Sequence, residues 1–167
     1  MIHQDAYVHP LANVESGATV GAGTRVWQFA TVRSGAIVGE ECVIGQGAFV
    51  DTDVVLGSRC KLENFASVHR GSRVADEVFL GPGVILTNDS WPRATNEDGT
   101  LKTEAEWHCQ PTRIETRASL GAGVIVLPGV TVGANCMVGA GAVVTKDLAS
   151  GLVAIGNPAA VVRSVSG

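Results

Sequence analysis

The chain has 167 residues, enough for one domain with a substantial core. A net charge of −4 argues against a nucleic-acid backbone as partner, so any anionic ligand must be met by local cations. Apolar residues make up 46% and aromatics only 5%, with 21 glycines, which suits a narrow interior with tight corners.

The opening MIHQDAYVHP has no signal-peptide pattern and no apolar run reaches the length of a membrane span, so a soluble, cytoplasmic chain without a membrane partner is expected. His3 and His9 are expected to be plain surface residues. From Val8 an aliphatic residue recurs every six positions, through Val14, Val20, Val26 and onward to Leu80 and Leu86. Two residues before each stands a small or slim residue, such as Ala6, Ala12, Thr24, Cys42 or Cys60. A period of six fits neither an amphipathic helix nor a long strand. It fits a solenoid whose short strands bury their apolar faces only by stacking coil upon coil. The beat resumes at Ile114 and runs through Leu120, Val126, Val132, Val138 and Val144.

Three sextets per coil make a triangular prism of 18 residues per turn, in six to seven coils spanning 1–86 and 112–147. Parallel strands then stack about 4.8 Å apart. Cys42 and Cys60, 18 apart, are expected as reduced interior thiols. The same register lines up the corners. One corner reads Gly21, Gly39, Gly57, Ala75 and carries no side chain for chemistry. A second reads His9, Trp27, Gly45, Glu63, Gly81. The third reads Glu15, Arg33, Asp51, His69, Thr87, and is charged and varied. His69 is therefore expected one coil below Thr87, with Asn88 and Asp89 beside it.

Residues 87–111 interrupt the beat with turn signals such as Asn88-Asp89-Ser90, Trp91-Pro92 and Asp98-Gly99. A loop of this length in a compact domain is usually functional or disordered. Trp91 and Trp107 argue for an ordered one, packed on a coil or a neighbouring subunit. After Lys146-Asp147 the repeat is expected to end, with 148–167 as a cap in which Ala159 to Val165 forms a short helix or strand. A solenoid needs such a cap over its open last coil.

The sextets, the run AGAVVTKD (Ala140 to Asp147) and IGNPAAVV (Ile155 to Val162) resemble the hexapeptide-repeat acyltransferases. VFLGPGVILTNDSWPR (Val78 to Arg93) and QPTRIETRASLGAGVIVLPGVTVG (Gln110 to Gly133) resemble, more narrowly, the N-acetyltransferases of nucleotide-linked 3-amino sugars. The resemblance implies an all-β, left-handed parallel β-helix, a hand that breaks the usual crossover rule. It also implies a homotrimer with sites between prisms, acetyl-CoA as acyl donor, and an amino sugar carried on dTDP or UDP as acceptor.

Under that resemblance Asn88 matches the position whose amide lies near the acceptor amine; on its own it reads as an Asx turn. His69 suits a general base near neutral pH. The alternative is proton transfer straight to the departing thiolate. Relatives tend to have an aromatic residue and then an acid where this chain has Val68-His69-Arg70. Thr87, Asp89 and Trp91 are expected against the acceptor, and Glu63 and Asn64 lie where relatives carry amides. Arg33, Arg70 and Arg93 are candidate diphosphate partners, since a guanidinium grips phosphate oxygens in pairs. Coenzyme A is expected along backbone amides around Gly121, Gly139, Ala140 and Ala142, with Lys146 or Arg163 meeting its phosphates. His108 reads as a substrate contact or a surface residue.

Neither a Gly-x-x-x-x-Gly-Lys loop nor a strand-linked Gly-x-Gly-x-x-Gly is present, which argues against nucleotide hydrolysis and dinucleotide redox. Acyl transfer to another sugar, an antibiotic or another small acceptor is the nearest alternative. A zinc enzyme needs three converging histidines, and none is expected here. A bare scaffold does not need the interruption.

Overall fold

In the computed structural model, which describes residues 1–166, the chain is a parallel β-helix wound in the left-handed sense. Each beat is a two-residue strand, from Tyr7–Val8 to Val143–Val144. Among the described residues the strands form three sheets of nine, seven and six members, parallel throughout except for the last strand of the nine. Partners stand 18 apart in sequence, as in Tyr7 with Arg25, and the strands on either side of the loop still pair, Phe79 with Ser119 and Arg73 with Arg113. Among the described residues, no helix is long and apolar enough to cross a membrane.

Each beat places three residues in, out, in, and a turn follows it before the next strand begins. The aliphatic anchor and the slim residue two before it are buried, while the residue between them faces out. Val26, Ala30, Val32, Ile44, Leu62 and Leu86 are all fully enclosed. The few polar residues in the slim column find partners: the Thr24 hydroxyl donates to the Gly39 carbonyl at 2.8 Å, and Thr112 donates to Ser72 at 3.1 Å. Cys42 and Cys60 sit in this column as free thiols, donating to the Gly57 and Ala75 carbonyls at 3.1 Å each.

The beat runs further than the sequence suggests, to about eight coils. Ile2 already bridges Val20, one sextet before Val8. Beyond Val144, Leu148 bridges Val132 and Ala154 pairs with Val138, 16 positions away rather than 18, and both are buried. The two-residue shortfall hides the continuation from a strict count of six. Asp147, expected to end the repeat, instead accepts the Thr131 N–H at 2.7 Å, while the Leu148 N–H donates to the Thr131 carbonyl at 3.0 Å. The cap is a strand pair: Leu152–Ile155 joins the nine-stranded sheet and Ala160–Ser164 folds back antiparallel on it.

At the first corner the backbone of successive coils nearly touches. A Cβ on Gly39 would stand 2.6 Å from the Gly57 carbonyl carbon and 2.7 Å from the Ser58 nitrogen. Gly39→Ala is therefore expected to lower stability by about 1–3 kcal/mol through overpacking. Leu62→Ala, which leaves a void in a fully enclosed site, should lower it by about 2–5 kcal/mol. Denaturant midpoints of the two variants check both, and wild-type stability of Gly39→Ala would contradict the packing described.

Candidate active site

The third corner, between the seven-stranded and six-stranded sheets, carries a ladder of alternating charge. Arg33 Nε lies 2.8 Å from Glu15 Oε1, Arg33 Nη1 lies 4.0 Å from Asp51 Oδ1, and Asp51 Oδ2 lies 3.9 Å from His69 Nδ1. The Ser34 amide holds the Glu15 carboxyl below its ordinary value, helped by Arg33. The His69 N–H donates to the Leu86 carbonyl at 3.3 Å, which sets it one coil below Thr87.

The loop leaves this corner and returns to it. Asp89 bridges Cys109 antiparallel, and the Gln110 N–H donates to the Asn88 carbonyl at 2.8 Å, closing the neck. A second bridge, Thr95 to Leu101, makes a small hairpin at the tip, and a 3-10 turn spans Glu104–Glu106. Arg70 straps the loop to the prism: its guanidinium stands 3.3 Å from Glu104 and 3.7 Å from Asp53. Asn88 turns its amide nitrogen inward, donating to the Arg70 carbonyl at 3.2 Å and lying 3.8 Å from Cys109 Sγ. Its amide oxygen is the end left for a donor in the cavity. Burial pushes the Cys109 thiol up, so it stays protonated at the neck.

Between corner and loop lies an open cavity of about 430 Å³. Of the residues expected from sequence, His69, Asn88, Asp89 and Arg93 line it. Asp51, Lys102, Thr103, Glu104 and Trp107 line it too and were not among the candidates. Asp51 was visible one coil below His69 in the corner column. The other four sit where the loop folds back, and no register reaches them. Three carboxylates thus share one cavity with a histidine, a carboxamide and two cations.

Other candidates are placed elsewhere. Arg33 is engaged between Glu15 and Asp51, and Arg70 between Asp53 and Glu104, so neither guanidinium is a free phosphate grip. The Thr87 hydroxyl donates its proton to the Val126 carbonyl at 2.7 Å. Trp91 is exposed beside an adjoining cavity of about 300 Å³ with Trp107, His108 and Gln110, and Arg93 stands 6.0 Å from its ring. Glu63 and Asn64 lie along the second corner, where Asn64 Oδ1 accepts the Gln46 N–H at 3.0 Å. Gly121 and Gly139 also stand on that corner, edging an apolar groove of about 410 Å³ with Phe79, Met137 and Val153. The Gly121, Gly139 and Ala142 amides donate to the Val138, Ala154 and Gly139 carbonyls, and Ala142 is interior. Ala140, Lys146 and Arg163 are exposed.

The family model described as bacterial transferase hexapeptide (six repeats) matches residues 17–52 and 111–146, and that of the hexapeptide repeat of succinyl-transferase matches 35–70. Together they span more than half of the chain. A galactoside O-acetyltransferase of Lactococcus lactis is 38% identical over 93 residues, 56% of this chain and 43% of the relative. The bifunctional protein GlmU of Polaromonas naphthalenivorans is 29% identical over 90% of this chain and 29% of its own length. The chain spans less than half the length of these curated relatives. Among solved structures, PerB of Caulobacter crescentus, in complex with CoA and GDP-perosamine, is 28% identical with a TM-score of 0.56, covering 95% of this chain and 57% of that one. LpxA of Bacteroides fragilis, a UDP-N-acetylglucosamine acyltransferase, has a TM-score of 0.77 at 16% identity, covering 96% of this chain and 61% of that one, and shows the fold alone.

The loop's own wiring gives a pH dependence. The Thr103 hydroxyl and amide both donate to Glu106, at 2.6 and 2.8 Å, and hold its carboxyl below its ordinary value. A depressed carboxylate stabilises the loop above the unfolded value of about 4.3 and loses that contribution as pH falls through the lower folded value. Acid titration of Trp107 fluorescence, with Trp27 and Trp91 replaced by Phe, should show this step. Glu106→Gln should abolish it.

Proposed function

We propose that this chain, which belongs to the hexapeptide-repeat transferases, moves an acetyl group from acetyl-CoA to the amine of a nucleotide-linked amino sugar. The observation that carries the reading is the mixed cavity. Asp89 and Glu104 suit an acceptor that arrives as an ammonium ion, and Arg93 and Lys102 suit the phosphates of the same molecule. A neutral galactoside asks for neither. The similarity to PerB, whose complex holds CoA and GDP-perosamine, supports the same class of acceptor.

In this reading the bound ammonium first releases one proton to water; the amine then attacks the thioester carbonyl, His69 takes a second proton as the new C–N bond forms, and the C–S bond breaks. The imidazolium then returns that proton to the departing sulfur. Asn88 accepts a second amine N–H through its oxygen and aims the lone pair at the carbonyl. Holding amine and thioester in line supplies several kcal/mol of the acceleration.

The reading includes a homotrimer. The cavity lies on the third corner, whereas Glu63, Asn64 and the groove at Gly121 and Gly139 lie along the second. One prism cannot bring both corners to one acyl group; a neighbour's second corner set against this third corner can. Leu11, Phe29 and Phe65, all exposed next to the second corner, give that contact apolar area.

A second reading, sugar O-acetylation, is favoured by the 38% identity to the galactoside enzyme. Acetyl-CoA turnover against nucleotide-linked 3-amino and 4-amino sugars and against galactosides separates the two. Amine acetylation is expected, and turnover confined to hydroxyl acceptors would defeat the proposal. His69→Ala should lower kcat by about 10²- to 10⁴-fold, the range of general-base catalysis. Asn88→Ala should also lower turnover, by misplacing the amine. Sedimentation should show three chains, and a fully active monomer would defeat the shared site.

A further inference from the structure

The nearest charge to His69 is one coil below it, not in the loop. Asp51 Oδ2 stands 3.9 Å from Nδ1, and the Phe49 ring packs beside the imidazole with centroids 6.0 Å apart. Among the described residues, Asp51 is the one acid within ion-pair distance of that nitrogen. It is held from three sides. Oδ1 accepts the Thr52 N–H at 2.7 Å, Oδ2 accepts the Arg70 N–H at 3.1 Å, and Arg33 stands 4.0 Å below. The other charged groups around the cavity, Asp89, Arg93, Lys102 and Glu104, belong to the loop.

We propose that Asp51 is the positioning residue that sets the tautomer of His69, a proposal that rests on reading His69 as the base. A neutral imidazole has one N–H, and the partner of one nitrogen decides the state of the other. An ionised carboxylate only accepts, so the nitrogen facing Asp51 carries the proton and Nε2 keeps its lone pair. At 3.9 Å the hydrogen bond is not yet made, and such bonds often tighten only when substrate binds. During turnover Nε2 takes the amine proton, so His69 becomes a cation with Asp51 on one side and the forming thiolate on the other. Nε2 then gives that proton to the sulfur, and His69 returns to its starting tautomer.

The test is ¹⁵N NMR of the full chain labelled at histidine, at a pH where the imidazole is neutral, with His69→Ala assigning the signal. The wild type should show the proton on Nδ1. Asp51→Asn should raise the Nε2–H form and lower kcat by about 10²- to 10⁴-fold with KM little changed. Asp51→Glu should restore the tautomer and part of the rate. Asp51→Ala repeats the measurement if the asparagine variant folds poorly. An unchanged tautomer in both the Asn and Ala variants overturns the proposal. Normal turnover of His69→Ala overturns the base assignment instead, and the tautomer readout tells the two failures apart.

Discussion

The constraint on which everything else depends is the hydrogen-bonded ladder between coils. Each strand of two residues pairs with the equivalent strand 18 positions away, so each residue stands over its own counterpart in the next coil. A two-stranded pairing of this length has no stability of its own. Stacked in parallel over a shared core, the same short pairings close a prism, and they dictate which side chains meet at its corners. Function in such a fold is therefore written in columns rather than along the chain.

The inserted loop depends on that ladder twice. Pairing of Arg73 with Arg113 and of Phe79 with Ser119 continues across it, so the insertion leaves the core undisturbed. Its neck is closed by the Asn88 carbonyl and the Asp89–Cys109 bridge, in the coil above His69 and Arg70. The loop can thus carry strongly polar groups, because the prism beneath supplies rigidity. Arg70 joins the two, its amide bound to Asp51 and its guanidinium to Glu104.

What the sequence made legible follows the same division. The beat of six gave the three sheets and the register gave the corner that holds His69, since both follow from backbone pairing alone. The shortened coils at Leu148 and Ala154 escaped because two residues were lost while the interior positions were kept. Lys102, Glu104 and Trp107 escaped for another reason: the hairpin and 3-10 turn that bring them over His69 have no repeat to read. The carboxylates on either side of Arg33 and Arg70 were not read from the sequence, because a candidate phosphate grip and an ion-pair member look alike until the neighbouring coil and the loop are considered.

Two corners bear ion ladders, and they differ in how their last members are satisfied. Near the first corner Glu77 sits between Arg59 and Arg117, bonded to both, and Arg117 chiefly holds its carboxyl below the ordinary value. That ladder is satisfied from above and below, and such exposed pairs add little beyond local order. At the third corner Glu15, Arg33 and Asp51 begin a similar ladder, but its upper member is a histidine, and above that comes Thr87, whose hydroxyl is turned to the Val126 carbonyl. The ladder therefore ends without a fixed cation above Asp51. Its last carboxylate and an imidazole that can gain a proton are left facing the cavity at the point where the loop departs. By stopping one coil short of its own satisfaction, the column leaves polar groups open to the cavity.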